Sequence, residues 1–331
     1  VQGQQLDMIS LTSKKRCRPG LLGIEKLGII YALFTAVVAA VFFKYIPSVG
    51  EMAITRAGYA VGMAALVWLY RKRPCHLTFF LRIALQLGML ATWYPETYLF
   101  CSIFGNLDHV FAQADQFLFG FQPALLFSEA LQGKVWSELF NMGYFAYYPM
   151  IFFLVVWTFF RRYTLFEKTT FIILCSFFIF YVVFMFLPVA GPQFYYQAVG
   201  VDTIREGVFP QVGLYFRTHF DMMPEKQYGG IFQHLVEMAQ QSGERPTAAF
   251  PSSHVGISTI IMILAWKADK KRRVFLGLLP FYAFLCCATV YIHAHYAVDA
   301  IAGFITAFPV YKTAHSIYYT RTFHRPHGYH S

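Results

Sequence analysis

Eight apolar runs, each close to the length that crosses a bilayer, constrain this chain more than any other feature of it. They cover roughly residues 24–46, 52–70, 77–104, 142–160, 169–187, 252–267, 274–293 and 296–312. A helix needs about 20 apolar residues to cross the hydrocarbon core. Several runs lack the polar stripe that a surface helix of a soluble protein carries. Composition agrees, with 57% of residues hydrophobic, 19% aromatic and only 13% charged, where soluble domains are about 45–50% apolar. The runs predict an all-α polytopic membrane protein of about eight transmembrane helices, in preference to a large soluble helical core.

The net charge of +10 invites a nucleic-acid or anionic partner, but its distribution has another explanation. Of the 27 Lys and Arg residues, most fall in five clusters: Lys14, Lys15, Arg16, Arg18 and Lys26; Arg71, Lys72 and Arg73; Arg161, Arg162 and Lys168; Lys267, Lys270, Lys271, Arg272 and Arg273; and Lys312, Arg321 and Arg325. With eight spans, all five lie on one side of the membrane. The positive-inside rule makes that side cytoplasmic, so both termini are expected there and no nucleic acid is needed. The first run follows a basic stretch, as a signal peptide does. It is too long for that role and reaches Phe42-Phe43-Lys44-Tyr45 without a small-residue cleavage site, so it reads as a retained span. The six cysteines, Cys17, Cys75, Cys101, Cys175, Cys286 and Cys287, have no CxxC spacing and form neither a disulfide framework nor a zinc pattern.

The expected organisation is a cytoplasmic tail over 1–23, two additional spans over 24–76, a six-span membrane domain over 77–312, and a basic cytoplasmic tail over 313–331. Both ends are expected to be flexible. Two outer connections are long. The first, residues 105–141, contains Asp108-His109, Asp115, Phe117-Leu118-Phe119-Gly120 and Pro123. Its helical spacing around Phe127-Ser128-Glu129-Ala130-Leu131 predicts an interfacial amphipathic helix. The second, about residues 188–251, opens with Pro188-Val189-Ala190-Gly191-Pro192-Gln193, which ends the fifth span. It carries a second amphipathic stretch over Ile231–Met238. Its aromatic content favours a cap over a lipid-facing site rather than disorder.

Polar groups at the ends of such helices are costly to keep unless they are used. Phe250-Pro251-Ser252-Ser253-His254 opens the sixth run, and His293-Ala294-His295-Tyr296-Ala297-Val298-Asp299 opens the eighth, so both fall on the same outer face. The i, i+4 spacing of His295 and Asp299 predicts one helical face, where a carboxylate holds the imidazole tautomer and supports its cation. Pro251-Ser252-Ser253 predicts a helix start whose amides and hydroxyls suit an anion. The arrangement suits phosphoryl transfer in two steps. His295 attacks phosphorus, Asp299 supports the developing charge, and His254 protonates the leaving alkoxide and later deprotonates the acceptor. Ser252 and Ser253 are candidates for stabilising the phosphoryl oxygens. The scheme requires no metal or other cofactor. The bland readings are a helix-terminal histidine that only caps, a Pro-Ser-Ser that only starts a helix, and an ordinary interfacial His293. Ser-x-His together with His-x-x-x-Asp on same-side helix ends is harder to obtain by chance.

At these residues the chain resembles the type-2 phosphatidic acid phosphatase superfamily. Pro251-Ser252-Ser253-His254 matches its Pro-Ser-Gly-His-like signature with Ser in place of Gly, and His295–Asp299 matches its closing His-x-x-x-Asp. The resemblance implies His295 as nucleophile, Asp299 as its partner and His254 as general acid. The superfamily's first signature, a lysine followed by Arg-Pro, is not recognisable. Gln193 stands where a cation is expected, and Arg245-Pro246 lies immediately before the second signature without the lysine. Ala288-Thr289 replaces the usual Ser-Arg. Arg245 is the candidate phosphate-binding cation, with Arg205, Arg217 and Lys226 behind it. The branch containing inositol phosphorylceramide synthase and the sphingomyelin synthases also lacks the first signature. Its bacterial relatives resemble this chain over about 108–305, including Asp115-Gln116-Phe117-Leu118-Phe119-Gly120 with Pro123 and the Tyr-rich stretch from Asn141 to Pro149.

The resemblance implies a lipid-linked phosphate ester cleaved at the non-cytoplasmic surface. An alcohol acceptor such as ceramide makes the enzyme a phosphotransferase, and water makes it a lipid phosphatase of the phosphatidic acid or isoprenyl diphosphate type. The expected partners are a phospholipid or sphingolipid substrate and the bilayer, with no nucleic acid and no obligatory protein partner. Two other classes compete. A transporter would place polar groups near the midplane on broken helices with inverted repeats. A metal-dependent hydrolase would use His254, His293, His295 and Asp299 as ligands.

Overall fold

A computed structural model describes residues 11–12, 20–101, 103–224, 226–320 and 322–323, apart from the side chains of Cys101 and Ser242. Most of the two expected flexible tails, with Cys17, Arg321 and Arg325, lies outside the described residues. Among those described there is no strand. The helices in chain order are α1 (Gly23–Val41), α2 (Val49–Lys72), α3 (His76–Gly88), α4 (Leu90–Cys101), α5 (Asp108–Phe119), α6 (Pro123–Ala130), α7 (Lys134–Phe145), α8 (Tyr147–Arg161), α9 (Tyr163–Phe186), α10 (Pro192–Val199), α11 (Val201–Arg205), α12 (Ile231–Gly243), α13 (Ser253–Ala268), α14 (Arg273–Tyr291) and α15 (Ala297–Tyr318).

Every one of the eight apolar runs falls on helix. By length and composition five helices can cross a membrane: α1, α2, the stretch His76–Phe100, α9 and α14. The pair α7–α8, bent by 43°, makes a sixth. α13 is apolar but has only 16 residues. α15 is not among the candidate spans, and Asp299 lies in its first turn. The predicted amphipathic stretches are also helical. The first, around residues 127–131, is α6, which Pro123 starts after Gly120 has ended α5 in a left-handed conformation. The second is α12.

The chain divides into two compact units. One comprises residues 1–93, 153–178 and 311–331. Inside it the guanidinium of Arg82 grips the Glu25 carboxylate with Nε to Oε1 at 2.7 Å and Nη2 to Oε2 at 2.6 Å, and both residues are buried. The Tyr70 ring lies 4.9 Å from the same guanidinium. Such a pair persists out of water only when its geometry is close to ideal. Tyr31 stacks on Phe178 at 4.0 Å, and Trp93 meets both rings.

The other unit comprises residues 94–152 and 179–310 and holds the His and Asp residues singled out from the sequence. In it α7 packs directly on α14. A Cβ at Gly143 would come within 2.6 Å of the Phe284 backbone carbon, so this crossing admits only glycine. α12 lies along α7. Glu138 of α7 accepts from the amides of Phe232 and Gln233 at 3.2 and 3.0 Å and so satisfies the first turn of α12. Cys75, Cys175, Cys286 and Cys287 are free thiols.

Candidate active site

His254 and His295 meet in the second unit. Nδ1 of His254 lies 3.2 Å from Nε2 of His295. The other nitrogen of His295, Nδ1, is 2.8 Å from the carbonyl oxygen of Ala249, an acceptor with no proton of its own, so Nδ1 carries the hydrogen. Nε2 of a neutral His295 is then the free lone pair, and His254 donates to it. Burial pushes the His295 pKa down to about 4 despite the Ala249 bond. The imidazole is therefore neutral and nucleophilic at pH 7.

The link from His295 to Asp299 differs from the expectation of one helical face. α15 begins at Ala297, so His295 stands in the turn before it. Asp299 is the third residue of the helix, and its Oδ2 reaches back to the amide of Tyr296 at 3.0 Å, the carboxylate half of a capping box. The distance from His295 Nδ1 to Asp299 Oδ2 is 3.8 Å. The tautomer is held by the Ala249 carbonyl, and the Asp299 carboxyl group stands beside the ring. Asp299 is fully buried and its Oδ1 has no hydrogen-bond partner. Any positive charge that develops on His295 faces that carboxylate in a medium of low dielectric.

Two further acids build the turn, and sequence reasoning noted both without finding their work. Asp115 accepts from the amides of Ala297 and Val298, each at 2.9 Å, and so closes the positive end of α15. Asp108 accepts from the amides of Ala190 and Gly191 at 2.6 and 2.8 Å, and from the Tyr296 hydroxyl at 3.0 Å. Gly191 has φ of +97°, and a Cβ there would come within 2.5 Å of the Ala294 carbonyl. These bonds bind the 188–191 loop, α5 and the start of α15 into one frame around His295. Burial raises the pKa of both Asp108 and Asp115 to about 6.

Ser252 is the N-cap of α13, its Oγ accepting from Val255 N at 3.3 Å. Its own amide donates to the Asp299 carbonyl at 3.0 Å. Ser253 is the first residue of α13 and is buried. Arg245 is exposed, with Nη1 donating to the Glu244 carbonyl at 3.3 Å and its guanidinium 5.9 Å from the Phe220 ring. Arg205, Arg217 and Lys226 are also exposed, and Arg205 pairs with Glu129 at 2.5 Å. His293, expected to be an ordinary interfacial histidine, is buried with Nε2 3.1 Å from Ser128 Oγ. Among the described residues no three His, Cys, Asp or Glu side chains are grouped as ligands for a metal ion.

Two features went unseen in the sequence. Gln193, found where a cation is expected, donates from Nε2 to Glu244 Oε1 at 3.0 Å and accepts from Gln240 at 3.2 Å. Burial raises the Glu244 pKa to about 7. Tyr144 and Tyr147 lie against the His254 ring at 4.7 and 4.5 Å. The Tyr-rich stretch from 141 to 149 was the only signal for them.

A family model described as the PAP2 superfamily matches residues 110–313, more than half of the 331-residue chain. No curated protein and no solved structure matches it.

Proposed function

The chain belongs to the PAP2 superfamily, and from that premise we propose that it cleaves a lipid-linked phosphate ester through a phosphohistidine on His295. Membership and the apolar helices make it an integral membrane protein of a family that cleaves lipid phosphoesters. The observation that carries the proposal is the pair itself: a neutral imidazole with its lone pair on Nε2, facing a second histidine at 3.2 Å. In the first step His295 Nε2 forms a bond to phosphorus as the bond to the alkoxide breaks, and His254 gives that oxygen its proton. In the second, His254 takes the proton of the acceptor hydroxyl, whose oxygen displaces the imidazole. Asp299 faces the cationic phosphohistidine. Ser252 and Ser253 at the start of α13 are the proposed contacts of the phosphoryl oxygens, and Arg245 is the proposed cation of the loop.

The acceptor we favour is a lipid alcohol such as ceramide, with an inositol phosphate-like headgroup transferred. The support is Gln193 in place of the first-signature cation, a departure shared with the inositol phosphorylceramide synthase branch. Water as acceptor, giving a lipid phosphatase, uses the same intermediate. The clustering of Lys and Arg supports a site on the non-cytoplasmic side with cytoplasmic termini. The test incubates purified protein with labelled phosphatidylinositol or phosphatidic acid, with and without ceramide. Label moved onto ceramide is the expected result; free phosphate alone makes the protein a phosphatase, and no release from either lipid overturns the proposal.

A further inference from the structure

The residues assigned so far leave open what holds the ring of His254. Tyr144 lies almost parallel to it, 4.7 Å between centroids at an interplanar angle of 27°. Tyr147 is tilted by 46° at 4.5 Å, and His295 meets the ring at 65° and 5.4 Å. The two tyrosines are three residues apart and share a helix face, with the 43° bend between α7 and α8 falling between them. Both are anchored. Gly143, the residue before Tyr144, is pressed on the Phe284 backbone. The Tyr147 hydroxyl donates to the carbonyl of Ser253, the residue before His254, at 3.5 Å.

We propose that Tyr144 and Tyr147 are positioning residues for His254, whose ring faces hold the imidazole toward the reacting centre and favour its protonated form. The inference rests on the phosphohistidine reading above. An aromatic face carries negative charge density that attracts a cation lying over it. A general acid must carry its proton when the alkoxide departs, so a ring that stabilises imidazolium readies His254 for that moment.

The test uses the purified full chain and two esters of one phosphate, a diacylglycerol ester that the protein turns over and its p-nitrophenyl counterpart. Nitrophenolate leaves without a proton, whereas the diacylglycerol alkoxide does not. Tyr144→Leu and Tyr147→Leu are each expected to slow the diacylglycerol ester about tenfold, the effect of about 1.4 kcal/mol in the barrier. The same variants slow the nitrophenyl ester less than about threefold, since that step draws little on acid catalysis. Tyr144→Phe, which keeps the ring and its anchor, stays within about twofold on both. Equal slowing of both esters, or no slowing, overturns the inference. Should the leucine variants fail to fold, phenylalanine and its increasingly fluorinated isosteres at position 144 change the ring charge without opening a cavity. A stepwise fall on the diacylglycerol ester supports the proposal and a flat series overturns it. His295→Ala separates the two levels. If it retains turnover, the phosphohistidine reading fails and this inference with it; if it is inactive while the leucine variants slow both esters equally, only this inference fails.

Discussion

The buried acids of the two units are satisfied by different kinds of partner. In the first unit Glu25 meets the full positive charge of Arg82 in a two-pronged contact. In the second, Asp108 and Asp115 are held by backbone amides, a hydroxyl and a side-chain amide, and one oxygen of Asp299 has nothing. A carboxylate matched to a guanidinium is a closed structural unit, neutral as a pair. Carboxylates held by neutral donors stay titratable, with Asp108 and Asp115 raised to about 6. The contrast separates an acid neutralised within its own pair from acids that hold a turn through backbone amides and a hydroxyl.

The largest expected effect breaks the reactive side of this comparison. His295→Ala removes the proposed nucleophile and should lower turnover by at least about a thousandfold for transfer and hydrolysis alike, measured as release of labelled headgroup. Near-normal turnover would sink the phosphohistidine assignment. The structural side is broken by Arg82→Ala, which leaves Glu25 buried without its countercharge and should cost about 3–5 kcal/mol. The readout is the unfolding midpoint in detergent, and a Glu25→Leu, Arg82→Leu double variant should recover most of the loss. An unchanged midpoint in Arg82→Ala would mean the pair does not hold α1 to α3.

The smallest effect sharpens the comparison rather than breaking it. Asp115→Asn keeps one acceptor oxygen at the start of α15 and leaves one amide short, an expected cost of about 1–3 kcal/mol. The pH dependence is the better signature. The Asp115 pKa is about 6 in the folded chain against an ordinary value of 3.8. Between these values the folded chain binds more protons than the unfolded one, so this group's stabilisation is full below 3.8 and lost as pH rises through about 6. Asp115→Asn should flatten the fall in unfolding midpoint across that window. A variant whose midpoint tracks the parent at every pH would show that Asp115 does not titrate there.

Much of the helical framework was legible because apolar length and periodicity are local properties. Each of the eight runs forms helix over most of its length, and both amphipathic stretches of the loops appear, as α6 and α12. The breaks were less legible. The 77–104 run divides into α3 and α4, and the 142–160 run contains the bend between α7 and α8, at positions where no run of polar residues announces a turn. At the site, the pairing of His254 with His295 was legible from same-side placement of two helix starts. The partners of His295 were not. The i, i+4 spacing suggested a shared helical face, yet the helix starts two residues after His295, and the carbonyl that fixes its tautomer belongs to Ala249. A backbone acceptor leaves no trace in residue identity.

By itself the sequence determined an all-helical membrane chain, the two polar segments proposed to carry its chemistry, and membership of the PAP2 superfamily, because apolar length and short motifs survive without knowledge of the chain's path. Only the tertiary structure decided that Asp115 caps α15, that the Ala249 carbonyl rather than Asp299 accepts the hydrogen bond from His295 Nδ1, and that two tyrosines lie against His254. Each of those depends on where a loop returns, and a loop's return is set by the packing of helices such as α7 on α14 at Gly143. No local spacing encodes it.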